Sequence, residues 1–252
     1  MSYEPWTMQL GYRIIRPQDV GTHSLQFAQI SLWRTANWGV ADGERAVKEA
    51  IEIARACKAR GIRTVYHPLE YLLANEHASQ TVDVMRRLAA AADLGIIIHD
   101  EGGVGRKRLP AEEEATFEQN LREISSFCHV SVENSFNSSD VTWFWERFAV
   151  PTSGDVSITL DIGHLELAGI DSIAFVRNMP QHLIDHTRFV HMHHHNELEL
   201  RGVKDHWPLL PECREIEALK VLLKRKRDVW VILELDAAED GMRQSIELLK
   251  NL

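Results

Sequence analysis

Eight short apolar segments, most of them followed by a helical periodicity, constrain the fold of this chain more than any other feature. The segments are Met8–Ile15, Leu25–Trp33, Thr64–Pro68, Leu94–Asp100, His129–Asn134, Val156–Asp161, the run ending at Phe189-Val190, and Val229–Leu235. Leu25–Trp33 alternates apolar and polar residues, whereas Leu94-Gly-Ile-Ile-Ile98 is nearly continuous, as strands covered on both faces are. Between them, Glu44–Arg60 places Ala46, Val47, Ala50, Ile51, Ile53, Ala54 and Cys57 on one helical face, and Gly61 supplies a stop. Further helices are expected over Ser79–Ala92, from Pro110 onward, and over Asp140–Phe148, Ile170–Arg177, Arg214–Lys226 and Glu239–Leu249. Alternating strands and helices imply a parallel sheet, and eight such strands in 252 residues imply a closed (β/α)8 TIM barrel in a single domain, 1–252. An open doubly wound sheet fits less well, because no Gly-rich phosphate turn follows the first strand.

Composition narrows the partners. A net charge of -9 disfavours a broad nucleic-acid or anionic-membrane surface. Three widely spaced cysteines, Cys57, Cys128 and Cys213, make neither a disulfide framework nor a C-x-x-C site and suit a reducing compartment. Met1-Ser-Tyr-Glu-Pro-Trp6 has neither a basic n-region nor an apolar core, and no apolar run approaches membrane-spanning length. A cytoplasmic protein with a small-molecule substrate and no membrane partner is the expectation; oligomeric state is left open.

The chemistry lies in where the strands end. Thr187-Arg-Phe-Val-His-Met-His-His-His195 carries four histidines in five positions directly after an apolar run. Strand alternation puts His191, His193 and His195 on one side, Met192 and His194 on the other. Five further segments end in a potential ligand: His67, His99, Glu133, Asp161 (with His164 three residues on) and Glu234. His206 follows in the loop Gly202–Pro208. In a barrel all strand C-termini open onto one face, so these groups converge. Carboxylates pointed into one mouth repel one another unless a cation holds them. Three carboxylates with several imidazoles, and no clustered thiolates, suit Mn, Zn, Co or Mg. The core set is Glu133, Asp161, His191 and Glu234, with His193 as the alternative nitrogen. Trp33, Tyr66, Phe136 and Trp207 are candidate apolar walls, Arg106, Lys107 and Arg108 candidate phosphate contacts. Lys224–Arg227 is expected to be a solvated helix end.

The order Val132-Glu-Asn134, Leu160-Asp-Ile-Gly-His164, Val190-His-Met-His193, Asp205-His-Trp-Pro-Leu209 and Leu233-Glu-Leu235 resembles the xylose-isomerase-like TIM barrels over about residues 8–250. For the sugar-isomerase branch the resemblance implies one divalent ion on Glu133, Asp161, His191 and Glu234, binding two neighbouring oxygens of a hydroxy-carbonyl substrate such as a sugar or sugar phosphate. Glu133 and Glu234 would move the proton as base and acid while the metal stabilises an enediolate, His164 would hydrogen-bond a substrate oxygen, and His67, His99 and His206 would line the pocket. The ketose epimerases carry a second glutamate after the first ligand and an arginine after the metal histidine; here Asn134–Ser139 has no acid and the next arginine is Arg201.

The type IV apurinic endonucleases resemble the chain at His67, His99, Glu133-Asn134, Asp161, His164, His191, His206 and Glu234. That likeness implies more than one zinc and hydroxide attack on a phosphodiester. The chain departs where that family has an aspartate two residues before the loop histidine: Lys204 stands there, with Asp205 adjacent. An inosose-dehydratase-like lyase is the remaining branch, and a metal or sugar sensor without turnover is disfavoured by the paired glutamates.

Overall fold

A computed structural model describes residues 8–35, 43–101, 108–135, 140–152, 155–195, 206–236 and 239–252. The eight strands are β1 (Gln9–Ile14), β2 (Phe27–Trp33), β3 (Arg63–Leu69), β4 (Ile96–His99), β5 (Val130–Glu133), β6 (Val156–Asp161), β7 (Thr187–Met192) and β8 (Trp230–Leu233). All pair in parallel with their sequence neighbours, and β1 closes onto β8 with Gln9 opposite Trp230 and Tyr12 opposite Leu233. This is the (β/α)8 barrel expected from the alternation.

The helices are α1 (Gly43–Ala59), α2 (Ala78–Ala89), α3 (Ala111–Ser125), α4 (Val141–Phe144), α5 (Ile162–Leu167), α6 (Ser172–Asn178), α7 (Gln181–His186), α8 (Arg214–Arg225) and α9 (Glu239–Lys250). α1 buries Ala46, Val47, Ala50, Ile53, Ala54 and Cys57, the stripe legible in the sequence. It ends where Gly61, at φ 73°, turns the chain so that the Ile62 amide reaches back to the Cys57 carbonyl. The short helices α5 and α7 were not expected, being too brief to show periodicity. No helix among the described residues is long and apolar enough to cross a membrane.

Period-two alternation sorts each strand into two faces. Outward residues, among them Val130, Val132, Ile158, Leu160, Val190, Val231 and Leu233, join the main core between sheet and helices. Burying each such side chain contributes ~1.5–3 kcal/mol. Phe27, Val65, Ile97, Phe189 and Ile232 form a separate apolar cluster within the barrel. Two residues further along their strands come Gln29, His67, His99, His191 and Glu234, and Ser131 and Thr159 precede Glu133 and Asp161 by the same step. The interior therefore changes from apolar to polar toward the C-terminal rim. The register levels the polar groups, pairing Ser31 with His67, His99 with Glu133, and Asp161 with His191.

Of the aromatic candidates for the mouth, Tyr66 is ordinary packing. It sits on the outward face of β3 and donates its hydroxyl to the Ala50 carbonyl of α1 at 3.4 Å, so it packs against helix rather than walling the mouth. Lys224–Arg227 is likewise not simply solvated. Arg225 donates to the Val176, Arg177 and Met179 carbonyls at 2.7, 3.2 and 2.8 Å, capping the end of α6.

Candidate metal centre

Glu133, Asp161, His191 and Glu234 meet at the C-terminal rim, each fully or almost fully buried, with one ligand atom from each within 4.8 Å of the others. His191 Nδ1 lies 3.1 Å from Glu133 Oε1, 3.6 Å from Asp161 Oδ2 and 3.6 Å from Glu234 Oε2. Four donors held tetrahedrally at about 2.0–2.2 Å from one ion stand roughly 3.3–3.6 Å apart, close to this spacing. Both Glu133 oxygens, Asp161 Oδ2 and both His191 nitrogens are buried without a well-formed hydrogen bond. Buried polar atoms are rarely left so, and a shared cation satisfies all of them together.

The electrostatics agree. Burial alone would raise the Glu133 carboxyl, but the His191, His99 and His67 imidazoles outweigh it and hold it well below the usual range. Asp161 is lowered against its burial by His164 and His193, and Glu234 against its burial by His191 and His206. Burial works against protonated imidazole too, yet Asp161 and Glu133 lift His164 to about 10, and Glu133 and Glu234 raise His191 well above its ordinary value. Three buried carboxylates thus draw positive charge into a site sealed from water. A dication there would carry that charge and leave the imidazoles neutral, the form that ligates.

Two more groups flank this one. His67, His99 and Glu133 gather on the β3–β4 side: His67 Nε2 is 3.2 Å from Glu133 Oε2 and His99 Nε2 3.6 Å from Glu133 Oε1. Burial there wins over the carboxylate and lowers His67 to about 4. His164, His193 and His206 gather on the other side, His193 stacked on His206 with ring centres 4.6 Å apart. His191 Nδ1 lies within 3.6 Å of all three carboxylates, whereas His193 Nε2 lies 3.2 Å from Asp161 Oδ1. His194 turns to the opposite side, as alternation requires, with Nδ1 3.1 Å from Glu215 Oε1. The site narrows outward to His99 and His206, whose side chains are 30% and 17% exposed.

The supporting residues were less visible in the sequence. Asn134 pairs its amide with the Asp161 backbone, Nδ2 donating to the carbonyl at 2.9 Å and Oδ1 accepting from the amide at 2.8 Å. The Asp161 carboxylate in turn caps α5 by accepting from the His164 amide at 2.7 Å. Gln29 donates to Glu234 Oε1, and Arg13, paired with Asp236, adds positive charge behind it. A glutamine and an arginine at inward positions of apolar strands were the available signal. Trp33 is buried at the end of β2, and Trp207 is bridged to His194 through backbone bonds of 2.8 and 3.1 Å. Arg108 pairs with Asp140 at 3.5 Å and lies over the Trp143 ring. Phe136, Arg106, Lys107, Arg201, Lys204 and Asp205 lie outside the described residues.

Solved structures share this architecture. The fold is similar to that of solved proteins described as xylose isomerase-like TIM barrels. The 3-keto-D-glucoside 4-epimerase YcjR from E. coli, in its apo form, superposes with a TM-score of 0.61 at 14% identity, over 96% of this chain and 98% of that one. The IolI protein with a bound zinc atom superposes at 0.67 with 12% identity, covering 97% of each chain. A xylose isomerase-like TIM barrel/4-hydroxyphenylpyruvate dioxygenase fusion protein superposes at 0.63 with 13% identity; the match spans 97% of this chain but 43% of the fusion. At these identities the likeness is one of fold. No protein-family model and no curated protein matches the sequence.

Proposed function

We propose that the protein is a divalent-metal-dependent isomerase or epimerase of a small sugar or hydroxy-carbonyl compound, with Glu133, Asp161, His191 and Glu234 holding the ion. The observation that carries this is the set of buried donor atoms of Glu133, Asp161, His191 and Glu234 at coordination spacing, those of Glu133, His191 and Asp161 Oδ2 without a hydrogen-bond partner. When bound, the cation supplies Lewis-acid polarisation of a substrate carbonyl.

The chain's own residues supply the proton chemistry. Glu133 and Glu234 stand at the ends of β5 and β8 and are held as anions, so each can accept a proton from the carbon beside a carbonyl and return it elsewhere. Gln29 donates to Glu234 Oε1, and Oε2 lies 3.4 Å from His206 Nε2. Asp161 is locked by Asn134 and by the start of α5 and serves to position rather than to exchange. His164 Nδ1 lies 3.1 Å from the Asn134 carbonyl, which fixes its ring as a hydrogen-bonding group for a substrate oxygen. Burial of the cluster keeps water away from the carbanionic species that proton abstraction creates.

The test is solvent exchange. The metal-loaded protein, given a panel of aldoses, ketoses and hydroxy-ketones in deuterium oxide, is expected to place deuterium beside the carbonyl and form an isomer. Glu234→Gln is expected to abolish exchange. Loss of water from the substrate in place of isomerisation would assign a lyase. No exchange or elimination with any member of the panel would overturn carbonyl chemistry.

A specific observation favours a second possibility. The flanking groups His67/His99/Glu133 and His164/His193/His206 offer places for further ions on either side of the first. His193 stacks on His206 in the second of these groups. A three-zinc centre cleaving a phosphodiester would nick a duplex carrying an abasic site and lose that activity to a chelator.

A further inference from the structure

One group of potential ligands lies outside the barrel mouth. His194, two residues past β7, turns away from the metal cluster and meets Cys213 and Glu215 at the start of α8. One ligand atom from each of the three lies within 4.8 Å of the other two. Backbone fixes all of them. His194 is pinned to Trp207 by bonds of 2.8 and 3.1 Å, and Cys213 and Glu215 stand at the cap and in the first turn of one helix.

Three features suit the group to a metal ion. Glu215 is 2% exposed, and no lysine or arginine among the described residues pairs with it. Its partners are the His194 ring, with Nδ1 at 3.1 and 3.2 Å from the two oxygens, and the His195 amide at 3.0 Å. A buried carboxylate without a cation is costly to keep charged. Cys213 is the second feature. It is buried, belongs to no disulfide and makes no side-chain capping bond to α8, and its thiol stands within hydrogen-bonding reach of His194. The third is access: the His194 side chain is 22% exposed, so the group opens to solvent along one edge.

We propose that His194, Cys213 and Glu215 form a second metal site, one that takes zinc. One thiolate and one carboxylate would together balance a dication, with the imidazole ligating as the neutral ring. The sulfur sets this site apart from the barrel mouth, whose donors are oxygen and nitrogen alone. Thiolate favours zinc and cobalt over magnesium. Three protein donors here, against four in the mouth, leave a fourth position to water. The site is accordingly the weaker of the two and fills only as added metal exceeds one ion per chain. An ion held there ties the end of β7, which carries His191, to the start of α8. None of this rests on the carbonyl chemistry proposed for the mouth.

The test uses cobalt(II) as the probe, because a cobalt–thiolate bond absorbs in the near ultraviolet whereas bonds to oxygen and nitrogen do not. The reduced full chain, titrated with cobalt(II), is expected to develop this absorption saturably and to lose it to added zinc but not to magnesium. Asp161→Asn, altered in the barrel mouth, should keep the band. Cys128→Ala should keep it too, and Cys213→Ser should abolish it. His194→Gln leaves the thiol in place. It should weaken cobalt binding by no less than the roughly tenfold that losing even a supporting hydrogen bond costs a metal site.

Circular dichroism checks that each variant is folded; should Cys213→Ser fail to fold, the partly exposed His194→Gln carries the test. A wild-type chain that shows no near-ultraviolet band with cobalt(II) would overturn the proposal. So would a band that survives in folded Cys213→Ser, one undiminished in His194→Gln, or one lost in folded Asp161→Asn.

Discussion

Gly163 lies against the ring of His193, so closely that a Cβ on the glycine would stand 2.3 Å from His193 Cε1. His193 has little room to yield, because it is fully buried and stacked on His206. Gly163→Ala is therefore expected to displace the imidazole from Asp161 and to destabilise the protein by about 1–3 kcal/mol. Urea denaturation measures the second effect, and reduced affinity in a metal titration reports the first.

Asn134 makes both of its bonds to the backbone of Asp161. Asn134→Ala would leave a buried amide and a buried carbonyl unpaired, a cost of about 1–3 kcal/mol for each group. The expected result is a clear loss of stability together with weaker metal binding, read by denaturation midpoint and metal titration. Asn134→Asp should be no better, since a carboxylate cannot donate to the carbonyl and adds a fourth buried acid.

Arg225 spans the carbonyls that end α6. Because a lysine cannot reproduce the planar fork, Arg225→Lys is expected to cost about 1–3 kcal/mol. Thermal melting of the two proteins in parallel checks it, and metal content should be unchanged.

Away from the cluster, His129 gives a pH dependence with a defined sign. Burial and the neighbouring Arg188 lower it from 6.5 despite its bond to Asp155 at 2.6 Å. Above 6.5 the imidazole is neutral in both folded and unfolded chains and adds no proton-linked term. As pH falls below 6.5 the unfolded chain takes the proton first, so stability is lost through the window between 6.5 and the lower folded value. His129→Gln should show a shallower decline of melting temperature over that window, and parallel profiles would contradict it.

Much of this was legible because period-two alternation is local. Inward pairs such as Val65 and His67, Ile97 and His99, and Ile232 and Glu234 put an apolar residue and then a ligand on one face, and both the barrel and its rim follow from them. Strand ends also bring Glu133 and Asp161 to the same rim. What escaped is tertiary. Nothing along the chain reveals that Gly163 makes room for a ring thirty residues away or that Arg225 reaches α6. The short α5 escaped because Ile162-Gly-His-Leu165 is stabilised by the Asp161 cap rather than by an apolar stripe.

The most direct test is metal content, by mass spectrometry, of protein purified without chelators and then titrated with Mn, Zn, Co and Mg. One tightly held ion per chain is expected in the wild type, lost in Asp161→Asn with the circular dichroism spectrum preserved; three zinc ions would favour the hydrolytic alternative. A folded wild-type chain that carries no metal and takes up none of these ions would contradict a shared cation at Glu133, Asp161, His191 and Glu234.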